Sequence, residues 1–90
     1  MKAKLQIEEL NQIKAGVLRT ELLAGLTFSR VALLTSDGVK REHNRQQARQ
    51  AYNSVLEKLV LVSLTAKDVE SIATMIQRLK SELEKMGEHF

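Results

Sequence analysis

The stretch Leu64-Thr65-Ala66-Lys67-Asp68-Val69 decides the fold. A threonine at position 65 can accept from the amide three residues on, Asp68 stands where a reciprocal capping carboxylate belongs, and Leu64 and Val69 occupy the two ends of a hydrophobic staple. A helix therefore begins at Ala66. Beyond it Val69, Ile72, Ile76, Leu79, Leu83 and Met86 recur at intervals of 3, 4, 3, 4 and 3, a single apolar stripe. Lys67, Glu70, Gln77, Lys80 and Glu84 lie largely away from that stripe, and Gly87 supplies the stop.

The same rhythm runs upstream. Ala48, Tyr52, Val55, Leu59 and Val62 are spaced 4, 3, 4 and 3, widened by Ala51 and Leu56. Ser63-Leu64 leaves only a tight turn between this segment and the next, so the two helices must run antiparallel and are expected to bury their stripes against each other. At its other end Thr35-Ser36-Asp37-Gly38 is a cluster of turn and capping residues, with Asp37 or Ser36 able to cap the helix. Before that cluster Leu10, Ile13, Val17, Ala24, Phe28, Val31 and Leu34 share one helical face, Thr20 fills the gap, and Leu22, Leu23, Leu26 and Leu33 broaden the apolar surface. A continuous helix from about residue 3 to 35 would be roughly 50 Å long, against roughly 30 Å for the last one, so one end overhangs unless the chain breaks near Gly16.

These readings predict an all-α, antiparallel three-helix bundle with a long first helix, spanning helices at about 3–35, 39–62 and 66–86 in one domain, 1–90. The hairpin of the second and third helices is expected on the C-terminal half of the first. Composition agrees. Ninety residues have room for one modest core, the hydrophobic share of 43% and charged share of 28% are those of a globular chain, and the absence of proline favours long helices. Without cysteine there is neither a disulfide framework, a thiolate metal site nor a cysteine nucleophile. The first nine residues turn polar instead of apolar, which is not the pattern of a secretory signal, and no apolar run approaches the roughly 20 residues that span a bilayer. The expected location is a cytoplasm, most simply a bacterial one, with no membrane association.

With Gly25-x-x-Phe28 followed by Ala48-x-x-x-Tyr52, the chain resembles one tetratricopeptide-type helix pair, in which small residues permit close helix crossing and aromatics fill the groove. Microtubule-interacting-and-transport domains have a related three-helix arrangement. The resemblance covers about Glu21 to Leu59. Glu21 and Ala24 replace the family's Trp and Leu, Val55 stands at a usually small position, the gap from Gly25 to Ala48 is longer than the family's, and no closing proline is present. It implies a scaffold that recognises peptides or helices in a groove. A single repeat cannot form a solenoid, so the implication is architectural.

Charge is uneven along the chain. Residues 1–39 carry five positive and four negative groups, residues 40–50 four and one, and residues 51–90 five and six. The excess therefore sits in one segment. Arg41, Arg45 and Arg49 are four residues apart and form a ladder on a helix, with Lys40 beside its start, a spacing able to straddle phosphates. No aromatic is interleaved to stack on bases, so RNA or another polyanion is the second reading of the function. The first is a small helical interaction module for a protein partner or for itself, as a homodimer, resting on the surplus apolar face at Leu5, Leu10, Ile13 and Val17.

Catalysis is not expected. His43 falls within the ladder as an exposed polar residue, and His89 lies past Gly87 in an end expected to fray. With no paired carboxylates at ligand spacing, the two histidines make no metal site. Single, scattered glycines form no phosphate-cradling loop, and no cofactor is implied.

Overall fold

The computed structural model describes the backbone of residues 2–90 and the side chains of residues 6–90, and the expected contact at Leu5 lies outside the described side chains. Three helices follow one another: α1 Lys2–Leu34, α2 Gly38–Leu59 and α3 Ala66–Lys85. The fold is all-α, a three-helix bundle with a long first helix.

Local chemistry sets each boundary. Thr65 accepts from the Asp68 amide at 3.1 Å and starts α3 at Ala66. Asp37 caps α2, its Oδ1 accepting from the amides of Val39 at 2.9 Å and Lys40 at 3.1 Å. The helix ends at Leu59, before the expected Val62, because the chain tightens there into a turn in which Leu61 N donates to Lys58 O and Val62 N to Leu59 O. Gly87, at φ +88°, closes α3 with a Schellman motif: Gly87 N donates to Glu84 O at 3.0 Å and Glu88 N to Leu83 O at 3.1 Å. α1 runs unbroken through Gly16 and Gly25.

Cross-helix contacts give the directions. Glu21 meets Ser54 and Lys58, and Gly25 meets Ala51, so α2 returns antiparallel to α1. Asp68 meets Arg19 and Leu79 meets Gly25, so α3 runs parallel to α1. The most extensive interface is α1 with α2, and the least is α2 with α3. α1 is thus the spine on which the other two helices pack, a correction to the expectation that the α2–α3 hairpin buries its stripes mainly against itself. The chain measures 55 × 18 × 17 Å, with a radius of gyration of 15.1 Å against roughly 12 Å for a compact domain of this length. The N-terminal end of α1 is the overhang.

The core comprises Ala15, Leu18 and Leu22 from α1, Ala48, Tyr52 and Val55 from α2, and Ile72, Leu79 and Leu83 from α3. The stripes read for α2 and α3 are the ones that pack, except at Val69, which is 51% exposed where its side of the first turn of α3 stands clear of the other helices, and at Leu56, 39% exposed on the edge of α2. For α1 the packed seam is different: Ala15, Leu18, Leu22, Gly25, Ser29 and Ala32 are buried, while Leu10, Ile13, Val17, Ala24 and Leu34 are exposed. Two leucines, Leu18 and Leu22, fill the space between the helices, and the small residues Ala15, Gly25, Ser29 and Ala32 on the same side let both neighbours approach. A Cβ at Gly25 would stand 2.8 Å from Leu79 Cδ2 and 3.1 Å from Ala51 Cβ, which shows how close the three helices come. Ser29 is fully buried, and its hydroxyl has no hydrogen-bond partner among the described residues.

Three substitutions test this packing by urea or thermal unfolding. Gly25→Ala gains helix propensity but overpacks against Ala51 Cβ, which has no rotamer to turn aside, and is expected to destabilise on balance by about 1 kcal/mol. Gly16→Ala, with nothing within 4 Å of the added methyl, is expected to stabilise by about 0.5–1 kcal/mol. Ser29→Ala removes an unsatisfied buried hydroxyl and is expected to stabilise by about 1 kcal/mol.

Candidate functional site

A helix turns about 100° per residue, so α1 carries two seams on opposite sides. One is the buried seam through Leu18, Leu22 and Gly25. The other consists of Leu10, Ile13, Val17, Thr20, Ala24, Thr27, Val31 and Leu34, in which Val31 is half-buried and every other member exposed. Leu10 is 49% exposed, Ile13 64%, Val17 47% and Leu34 78%, values that belong to no core residue of this fold. No charged residue interrupts the seam from Leu10 to Leu34. Its two hydroxyls are turned inward on the helix itself: Thr20 Oγ1 donates to Gly16 O and Thr27 Oγ1 to Leu23 O, both at 3.0 Å. The face therefore asks for no hydrogen bond from outside.

Grooves flank it on either side. Between α1 and the end of α2, Lys14, Val17, Leu18, Lys58, Leu61 and Val62 line a groove of about 240 Å³. Between α1 and α3, Leu23, Leu26, Leu33 and Leu34 with Arg30, Arg78 and Glu82 line a larger one of about 530 Å³. Leu10, Ile13 and Val17 lie together on the exposed side of α1, so the described members of the expected partner-binding set share one surface.

The basic ladder is arranged otherwise. The Arg41 guanidinium donates to Thr35 O at 2.9 Å and so satisfies a carbonyl at the C-terminal end of α1. Arg45 is paired with Glu42 on its own helix and with Glu88 beyond α3, and Arg49 lies 3.7 Å from Glu88 and donates to His89 O. The Phe90 ring packs edge-on against Tyr52 at 4.8 Å, with the Arg49 guanidinium 4.1 Å and the Lys80 ammonium 5.5 Å from its centroid. Residues 87–90 are thus docked on α2, where fraying was expected. The signal was present as Glu88 and Phe90 just past a helix-ending glycine, complementary in charge and ring chemistry to Arg45, Arg49 and Tyr52. Lys40 and His43 are exposed.

Two carboxyls are held below the usual range. Glu42 is lowered chiefly by the hydrogen bond from Arg45, and Asp68 chiefly by that from Arg19, 2.8 Å away across the α1–α3 interface. Asp68 is therefore engaged with α1 as well as standing at the cap.

Among the described residues no three His, Cys, Asp or Glu side chains gather in a way that could hold a metal ion, and no helix is long and apolar enough to cross a membrane. Comparison with known proteins finds no matching family model, curated protein or solved structure.

Because Asp68 has a lower pKa folded than unfolded, its ion pair contributes stability fully above about pH 5 and loses it as pH falls through and below the ordinary aspartate value of about 3.9. Arg19→Gln is expected to lower the unfolding midpoint at pH 7 and to flatten its decline between about pH 5 and pH 3. An acid limb identical to that of the parent would assign the decline to other carboxylates.

Proposed function

We propose that the protein is a non-enzymatic helical interaction module whose working surface is the uncovered seam of α1. The observation that carries this reading is the second apolar seam itself. One side of α1 is sufficient to hold the bundle, and the opposite side, over some 36 Å of helix, is charge-free with its hydroxyls satisfied. A helix apolar on two sides is built to be covered on both. The complementary surface on a partner is an apolar helix face, which the flanking grooves would grip at its edges.

Polyanion binding through Lys40, Arg41, Arg45 and Arg49 has less support. Three of these side chains are engaged within the fold, Arg41 with Thr35 O and Arg45 and Arg49 with Glu42, Glu88 and His89 O, and releasing the last two would undock residues 87–90.

The test is a fluorescence-anisotropy titration with a labelled amphipathic peptide carrying leucine at its heptad core positions. Saturable binding that persists in high salt, and is weakened at least tenfold by Ile13→Glu with Val17→Glu, is the expected result. Those exposed substitutions should move the unfolding free energy by no more than about 0.5 kcal/mol. Absence of binding, or binding indifferent to the double substitution, would refute the assignment.

A further inference from the structure

The seam is symmetric about its own midpoint. Its members are spaced 3, 4, 3, 4, 3, 4 and 3, the same read from either end, and their sizes mirror each other: Leu10 with Leu34, Ile13 with Val31, Val17 with Thr27, Thr20 with Ala24. We propose that its occupant is a second copy of this chain, with α1 laid antiparallel on α1 about a two-fold axis between Thr20 and Ala24, so that these four pairs form between the copies.

This inference rests on the assignment of the seam as the working surface and adds the partner and the register. Three features converge on it. Heptad spacing suits helices crossing at about +20°, and helices that cross so without supercoiling come closest at the centre and diverge toward the ends. Here Thr20 and Ala24 occupy the centre, Val17 and Thr27 flank them, and the larger Leu10, Ile13, Val31 and Leu34 occupy the ends, where a crossing leaves more space to fill. The pairing is isologous and closes at two.

Charge is complementary at the axis. Glu21 sits on the edge of the seam beside the midpoint and is paired with Lys58 and Ser54 of its own chain. The two-fold places one Glu21–Lys58 pair against the other, where each ammonium can serve both carboxylates. The same edge carries Phe28, half-buried in each chain, to the groove formed by Lys14, Val17, Leu61 and Val62 on the other copy.

Area sets the strength. A strip about 36 Å long and one helix wide, about 10 Å, gives about 360 Å² of projected surface per copy. Over both copies that is about 720 Å² before the Leu61 and Val62 groove is added, the size of a weak, transient contact, so the dimer dissociates on dilution.

The chain has no cysteine, so single cysteines report the geometry directly. Leu23→Cys, near the axis, is expected to form a disulfide-linked dimer on mild oxidation. Leu10→Cys alone is not, because antiparallel packing holds its two copies at opposite ends. Mixed Leu10→Cys and Leu34→Cys chains should form the heterodisulfide. Light scattering across concentration should show a monomer–dimer equilibrium that Ile13→Glu shifts at least tenfold toward monomer, with unfolding unchanged at concentrations low enough that both are monomeric. A monomer at every concentration, a larger assembly, or efficient self-linkage of Leu10→Cys would overturn the proposal. A monomer that still binds the leucine peptide would overturn the second copy as occupant alone, and one that binds neither would remove the working surface as well.

Discussion

The close approach at Gly25 is the constraint on which the bundle depends. At that residue α1 has no side chain, and Leu79 of α3 and Ala51 of α2 fill the space a methyl would need. The contact fixes three things together: how near both helices come to α1, their register along it, and which side of α1 faces inward. Once Gly25 points into the core, helix geometry carries Ala15, Leu18, Leu22, Ser29 and Ala32 with it. The opposite seam is turned out by the same rotation. A surface rich in β-branched and leucine residues is therefore exposed because of a packing decision made on the other side of the helix.

That coupling explains why α1 is the spine. Two neighbours pack on one seam of α1, where two leucines are set among small residues, and neither needs much of the other, so the α2–α3 interface is the least extensive of the three. The helix then extends past the turn that joins its partners, which gives the molecule its 55 Å length. Core and candidate docking face are two sides of one continuous rod. A partner on the outer seam would meet a helix that is already continuous along the whole seam, so little ordering would be required on binding.

The basic ladder shows how the same spacing can serve the inside of a protein. Guanidinium groups one turn apart suit a row of phosphates, and they suit equally a terminal carbonyl, a pair of carboxylates and an aromatic ring brought to them by the fold. Gly87 makes this possible: its positive φ reverses the chain after α3 and delivers Glu88 and Phe90 to Arg45, Arg49 and Tyr52. The ladder ties the end of α1, the start of α2 and the segment after α3 into one corner of the bundle.

Residues alone determined the helical class, the three elements, the capping at Asp37 and Thr65, the Gly87 stop and, apart from the exposed Leu56 and Val69, the inward stripes of α2 and α3, because capping and amphipathic periodicity act over a few residues. They also marked Leu10, Ile13 and Val17 as apolar surface to spare. Tertiary structure decided which of the two seams of α1 is buried, since both have the right period and both mix large residues with small ones, and only the close approach of two helices at Gly25 selects between them. It decided the pairing of the arginines too, for Glu88, His89 and Phe90 are some forty residues from Arg45 and Arg49 along the chain and meet them only when the third helix has packed. Local signals act through backbone geometry and neighbouring side chains, whereas the choice of seam and the capture of residues 87–90 depend on distances between helices, which exist only once they have met.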